Sequence, residues 1–347
     1  MKRFIQIGTG GFGKYWCTVV LPNVRNFMVP VAAVDISEKA LENAAHLGLP
    51  AEKLYTDLDK ALRENQADFV TIVTPIPTHE SIIEQALAAG LDIVCEKPLG
   101  ADMSSSTRIL KRVQAAGRKL SVTMSHRMEA EKQTVERLVK SGQYGPLRYL
   151  VSRLAMARRE ARTEDPGELL TNLVRSAMIH NLDTMRAVSG ANAKTVYATG
   201  WSVDHDPTRA NSLSDGATVL AVLEMENGVR AQLEISMANA ASLDGWSDEY
   251  LRAECADGTI IADHRQVTVH SSQGYPHPTV ASIPWPDNAY WAHDLILNDF
   301  VNWLDGGPTP VTNIEDTIQA CALAYATIES IRTRQVVDVQ RFLAECV

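Results

Sequence analysis

Four short stretches hold the residue types that proton and charge chemistry needs. VRSAMIHNLD, residues 174–183, sets His180 and Asp183 three positions apart, which on a helix makes them neighbours. CEKPLG, residues 95–100, places Glu96 and Lys97 before Pro98, and TPIPTHESI, residues 74–82, holds Thr74, Pro75 and His79. RFIQIGTGGFGKYW, residues 3–16, spaces Gly8, Gly10 and Gly13 as GxGxxG. A histidine titrates near neutrality and can take a proton, and a lysine can hold a developing negative charge. A histidine near an acid is equally what a core-facing ring beside a solvated carboxylate looks like. The elements carrying these residues decide between the readings.

From residue 1 to about 124, short apolar runs (RFIQIG, VPVAAVD, DFVTIVT, LDIVCEK, KLSVTM) alternate with segments of helical period. Unbroken apolar runs suit strands covered on both faces, with the intervening helices as crossovers. The expected fold class is therefore α/β, with an N-terminal doubly wound Rossmann domain. The glycine motif directly follows the first strand and opens a helix, the context in which it binds a dinucleotide. Gly8 permits the tight turn, Gly10 lets backbone approach a pyrophosphate, and Gly13 lets helix and strand pack closely. Gly11 and Phe12 fill the rest of the motif and join the cofactor candidates. Asp35 ends the second strand, where an acid accepts from ribose hydroxyls and repels a 2′-phosphate. Ile36 and Ser37 follow it without an Arg, so the cofactor expected is NAD over NADP. Thr74, His79, Glu96 and Lys97 lie at carboxyl ends of strands, where ligands bind in such sheets.

Beyond Gly145-Pro146 the pattern changes. ATVLAVLEMENGVRAQLEISMA and YLRAECADGTIIADHRQVTVHS carry Asn227-Gly228 and Asp257-Gly258 between strand-like runs, strong hairpin signals. The second domain, 125–335, is expected to be α+β. It should have a large, open, mostly antiparallel sheet, with one long helix before it at roughly 166–190 and one after it at roughly 313–333. Residues 336–347 form a tail able to return to the first domain. A sheet with one free face is often a subunit interface, so a homodimer or homotetramer is expected.

Composition narrows the classes further. The 347 residues are 45% hydrophobic and 22% charged, with a formal net charge of −9, an ordinary globular balance that argues against nucleic acid as the main ligand. Five scattered cysteines with no CxxC pair do not read as a disulfide framework. No apolar run reaches the roughly 18 residues of a membrane span, and the N-terminus lacks a signal peptide's apolar segment. The reading is a cytoplasmic protein that contacts neither membrane nor nucleic acid. No zinc or serine-hydrolase motif is present, and no metal is expected.

With GxGxxG, TP..H and EKP in order, the chain resembles the Gfo/Idh/MocA oxidoreductases, the family of glucose-fructose oxidoreductase and inositol dehydrogenase. The SGQYGPL turn, the HNLDTMRAVSG segment and EDTIQACALAYATIESIRTRQVVDV extend the resemblance over nearly the whole chain. It implies that Thr74 and Pro75 border the nicotinamide, that Lys97 faces the reacting carbon, and that His180 comes from the second domain as general base. The activity implied is NAD-dependent oxidation of a secondary alcohol of a sugar, cyclitol or derivative. Two alternatives stay open: redox-assisted glycoside cleavage, in which transient oxidation permits elimination, and an NAD- and ligand-binding protein without turnover.

The sequence departs from the family at one telling place. An Asp commonly stands four positions before the catalytic histidine; here it is Ser176, and the glycine-rich run upstream reads LLTNLVRSAMIH. A serine can hydrogen-bond an imidazole but supplies no charge. Either Lys97 carries more of the proton relay, or Asp183 supports His180, or catalysis is lost. Substrate clues are thinner. Arg153, Arg158, Arg159 and Arg162 could receive an anionic sugar substituent, although Glu160, Glu164 and Asp165 sit among them. IPWPDNAYWAHD gathers Trp285, Tyr290, Trp291 and His293 in a loop of the second domain that could pack on a carbohydrate. Arg127 and Asn172 are further polar candidates.

Overall fold

The five apolar runs of the N-terminal part become strands of one parallel sheet in a computed structural model that describes residues 1–157, 166–202, 217–239, 241–271 and 278–346. The chain divides into two units, 1–125 with 290–318, and 126–289 with 319–346. The first contains β1 (Lys2–Ile7), β2 (Met28–Val34), β3 (Leu54–Tyr55), β4 (Phe69–Ile72), β5 (Asp92–Cys95) and β6 (Leu120–Val122). Their spatial order is β3-β2-β1-β4-β5-β6, and every pairing is parallel. Ile5, Phe69, Ile72, Ile93 and Val94 are wholly buried, as strands covered on both faces require. Strand order reverses between β1 and β4, so Gly8 and Val73, just beyond their carboxyl ends, sit at the switch point where ligands bind. β3, only two residues long, carried no readable signal.

Residues 290–318 belong to this first unit, although 125–335 was expected to be one domain. The helix Ala292–Leu304 buries Leu297, Phe300 and Val301 in the cluster of Phe4, Trp16, Val20 and Phe69, and the Phe300 ring meets Phe69 edge-on at 5.3 Å. Its periodicity announces an apolar face without saying which core receives it.

The second unit holds β7 (Leu147–Ala155), β8 (Ala193–Ser202), β9 (Ala217–Met225), β10 (Arg230–Ser236), β11 (Tyr250–Cys255), β12 (Gly258–Asp263), β13 (Gln266–Ser271), β14 (Thr279–Ile283) and β15 (Val337–Asp338). They form one sheet ordered β14-β13-β12-β11-β7-β10-β9-β8-β15. Only β7 and β10 pair in parallel; the other neighbours are antiparallel. Both dipeptide hairpins form where expected, between β9 and β10 and between β11 and β12. The helical run Pro166–Leu173, Val174–Met178 and Ile179–Ser189 includes a π-helical turn in its middle segment. Every residue of Ile179–Ser189 is buried, and Asn181 Nδ2 donates to Ser152 Oγ of β7 at 2.8 Å. The tail up to Cys346 belongs to the second unit: β15 pairs with β8, and the Gln340 side chain donates to the Ala193 carbonyl at 3.0 Å. Among the described residues no helix is long and apolar enough to cross a membrane.

Candidate functional site

The glycine turn is fixed by close backbone approach. Gly8 has φ +88°, and a Cβ there would lie 2.2 Å from the Val73 carbonyl oxygen; a Cβ on Gly13 would lie 2.4 Å from the Gly8 oxygen. Both distances are impossible for real side chains, so glycine is required at each position. A Cβ on Gly11, at φ +52°, would meet nothing within 4 Å. The motif is thus crowded where helix meets strand and open where a pyrophosphate would approach. Behind it, Asp35 Oδ2 accepts from the Thr9 and Gly10 amides at 2.8 and 3.0 Å, and Oδ1 accepts from the Ser37 amide at 2.9 Å. The strand-end acid therefore holds the turn in shape. Ile36 next to it is almost wholly exposed, and Phe12, half exposed, stacks on Tyr15 at 5.4 Å. These residues fit a dinucleotide: a cradle free of side chains, with a carboxylate at its edge.

The next two strand ends are tied together by His79. Its ring is buried, with Nε2 2.9 Å from the Thr74 carbonyl oxygen and Nδ1 3.1 and 3.2 Å from those of Pro98 and Leu99. Burial pushes its pKa down, against the pull of those carbonyls and of Glu96. His79 was expected to line the cofactor; its ring atoms are instead committed to joining the turn after β4 to the turn after β5. Thr74 is half-buried and Pro75 exposed at that turn.

Glu96 is buried and accepts from Trp16 Nε1 at 2.9 Å and from the Lys97 amide at 3.2 Å, with His293 Nε2 3.5 Å away. Burial alone would raise its pKa, but His293, then Lys97 and Thr123, outweigh it and hold the carboxyl below its usual range. Glu96 is therefore an anion beside the half-buried Lys97. His293 and Trp291, proposed from sequence as residues of the second domain, lie in the first unit. The His293 ring packs between Trp16 at 5.7 Å and Phe12 at 6.0 Å. Trp16 was missed, because nothing in its local sequence says that a strand end from elsewhere delivers a carboxylate to its indole.

His180 sits in the second unit, 2% exposed, at the start of the helix that follows the π-helical turn. Ser176 donates its hydroxyl hydrogen to the Asn172 carbonyl at 2.6 Å, so that hydrogen is spent on the helix itself. The Asp183 carboxylate pairs with Arg127 at 3.3 Å and Arg186 at 2.9 Å. The structure thus joins Arg127 to Asp183, and it puts Asn172 one helical turn from Ser176, where its side chain accepts from Arg175 at 2.6 Å. It does not bring Arg153 to them. Arg153 lies on the face of β7 opposite Ser152, the residue that Asn181 grips; it pairs with Asp244 at 2.8 Å and covers the Tyr250 ring at 5.3 Å. Arg158, Arg159 and Arg162 lie outside the described residues. Missed altogether was His126, whose ring stacks on His180 with centroids 3.9 Å apart and an interplanar angle of 6°. Among the described residues no group of three or more His, Cys, Asp or Glu could hold a metal ion.

Comparison with known proteins agrees with this construction. Residues 2–124 match the NAD-binding Rossmann domain of the GFO/IDH/MocA oxidoreductases, and residues 133–261 match a GFO/IDH/MocA C-terminal domain. The chain is 35% identical to an uncharacterized protein of Sinorhizobium fredii, covering 98% of this chain and 96% of that one. It is 28% identical to a D-apiose dehydrogenase of Paraburkholderia graminis, over 91% of this chain and 84% of that enzyme. It is 27% identical to an inositol 2-dehydrogenase of Corynebacterium glutamicum, over 68% of each. The chain therefore belongs to the Gfo/Idh/MocA family of oxidoreductases.

Proposed function

We propose that the protein is an NAD-dependent dehydrogenase acting on a secondary alcohol of a sugar, cyclitol or sugar derivative. The observation that carries this reading is the open glycine cradle braced by Asp35, on the same carboxyl-terminal edge of the parallel sheet as the end of β5 that bears Lys97. The likeness to a D-apiose dehydrogenase and an inositol 2-dehydrogenase supports the substrate class. NAD is favoured over NADP because a 2′-phosphate would face the Asp35 carboxylate, and exposed Ile36 offers it no cation. When bound, the nicotinamide supplies the hydride acceptor at C4.

The chain's own residues do the rest. His180 takes the hydroxyl proton as hydride leaves the same carbon. Lys97, held beside the Glu96 anion, steadies the developing alkoxide. Gly8, Gly10, Gly11, Phe12 and Gly13 receive the cofactor phosphates, with Thr74 and Pro75 on the nicotinamide side. Arg127, Asn172 and Asp183 are the substrate-side candidates that the fold leaves on or beside the His180 helix. The protein assembles as a homo-oligomer through the free sheet face, where Tyr197 and Val222 pair directly and stand 42% and 55% exposed beside Trp201 and Leu220.

The test is absorbance of reduced nicotinamide with a panel of sugars, inositols and sugar acids. One or more should reduce NAD, and Lys97→Ala and His180→Ala should each lower kcat by about 10²–10⁴-fold. NAD binding without turnover in either direction, across alcohols and keto-sugars, would sink the dehydrogenase reading. Aglycone release without net NADH would replace it with elimination chemistry.

A further inference from the structure

The position that usually carries an acid four residues before the base is Ser176, which brings His180 no charge. A buried anion reaches the histidine by another route. His126, in the turn His126–Met128, lays its ring flat on that of His180, and Trp246 meets both rings edge-on at 5.2 and 6.2 Å. His126 Nδ1 is 3.3 Å from Glu249 Oε1, and both side chains are 1% exposed. Glu249 Oε2 is 3.2 Å from Lys132 Nζ, which is 2.6 Å from Glu131 Oε1.

The charges around the rings are unevenly shared. On the His126 side, two buried carboxylates, Glu131 and Glu249, share the ammonium of Lys132, leaving an excess of negative charge against the imidazole. Glu129 and Arg265 pair farther along this cluster at 3.3 Å, next to Ser247. On the helix that carries His180, Asp183 pairs with Arg186 and with Arg127 of the His126–Met128 turn. Two parallel imidazolium rings in contact repel strongly in a dry environment, so a second proton on the stack is disfavoured. Simple packing would be served by any aromatic ring at 126, whereas burying the Glu249 carboxylate against it is costly unless a donor or cation answers it.

We propose that His126, backed by Glu249, is a positioning residue for His180: its ring holds the His180 ring by stacking, the two imidazoles titrate as a coupled pair that takes up one proton before the other, and Glu249 supplies the buried negative charge that Ser176 does not. The proposal rests on the dehydrogenase reading for the identity of the proton, which comes from the substrate hydroxyl. The shared titration itself does not depend on that reading.

The test is titration of the full-length protein labelled with 15N-histidine, following ring nitrogens from pH 4 to 9, with His126→Asn and His180→Asn assigning the signals. In the wild type both rings should respond together in the first step, with the second proton taken up in a separate step at lower pH. Glu249→Gln removes the anion that favours the cation, so the first step moves down by about one unit. The acid limb of kcat/KM for alcohol oxidation should move down with it. His126→Phe keeps a stacked ring and should turn His180 into a single-site titration. Independent single steps for the two rings in the wild type, or an unmoved step in Glu249→Gln, would overturn the proposal. Should Glu249→Gln fail to fold, the wild-type coupling and His126→Phe decide the question. If the rings share a proton but no polyol or sugar reduces NAD, the functional reading falls and the shared proton stands.

Discussion

The two units hold their chemistry by different means. In the first, the turn at Gly8–Gly13 is shaped by backbone: carbonyls of Val73 and Gly8 exclude side chains, and one carboxylate, Asp35, gathers three amides. In the second, His180 is surrounded by side chains from distant parts of the chain, His126 on one face and the Glu249–Lys132–Glu131 cluster behind it. Backbone sites tolerate almost no change of shape but nearly any neighbouring sequence. Side-chain clusters tolerate changes of shape and fail when the charges stop balancing.

The largest way to break the comparison is Lys132→Met. The ammonium is 1% exposed and answers both Glu249 and Glu131. Removing one partner of a buried ionic group is far costlier than replacing the whole group with apolar residues. Loss of about 3–5 kcal/mol of stability is expected, read as a fall in the urea midpoint. Glu249→Gln combined with Glu131→Gln should recover much of it, because the charge imbalance is then gone. Without such recovery, the lysine acts through packing of its stem.

For the first unit the matching change is Gly8→Ala. It puts a methyl 2.2 Å from a carbonyl oxygen at φ +88°, adding a left-handed backbone penalty to overpacking. Together these cost about 3 kcal/mol. NAD affinity should fall with stability, and calorimetric titration alongside thermal unfolding would show whether the two losses travel together. Gly11→Ala, with open space at its Cβ, should disturb the fold much less and report mainly on cofactor approach.

This contrast also explains what could be read from sequence. The tight turn at Gly8 and the close packing at Gly13 were legible because they follow from backbone geometry within a single strand-turn-helix unit. Asn227-Gly228 and Asp257-Gly258 were legible because a hairpin is local. His126 was not, since its partner Glu249 lies 123 positions away and no periodicity encodes a face-to-face stack. Residues 290–318 were misplaced for a related reason: an amphipathic helix announces an apolar face, while the Phe69 and Trp16 that receive it are fixed only by the tertiary fold. His79 was misread because a histidine at a strand end looks like a ligand-facing residue until its two nitrogens are found among three carbonyls. Ser176 shows the opposite case, a departure visible in sequence whose consequence depends on contacts that sequence hides.

Acid sharpens the comparison without any mutation. Burial would raise the pKa of Glu249, but Lys132 and His126 overcome it and hold the carboxyl well below the usual range. A depressed carboxyl contributes stability that is complete above its unfolded value and is lost as pH falls toward its folded one. The urea midpoint should therefore decline below about pH 4.5, where unfolded carboxyls begin to bind protons. Glu249→Gln should flatten part of that decline while lowering the midpoint at pH 7. An acid limb of unchanged steepness would assign the sensitivity to other carboxyls, Glu96 foremost, since it too is buried and held low.

Asp35 is expected to give the smallest effect on stability and the most specific effect on function. Its carboxylate braces the turn, and on the proposed function it also meets the ribose hydroxyls. Asp35→Ser leaves an acceptor for the Thr9 and Gly10 amides, so the fold should lose only about 1 kcal/mol. The repulsion of a 2′-phosphate disappears with the charge. The ratio of kcat/KM for NAD over NADP should fall by about 10–100-fold, in proportion to one or two lost charge-assisted contacts. If the ratio holds while stability falls, the acid is purely a brace, and the choice of cofactor must come from residues around Ile36 and Ser37. If the ratio falls while stability holds, the same oxygen that shapes the turn also reads the ribose, and the backbone site is specific through its one side chain.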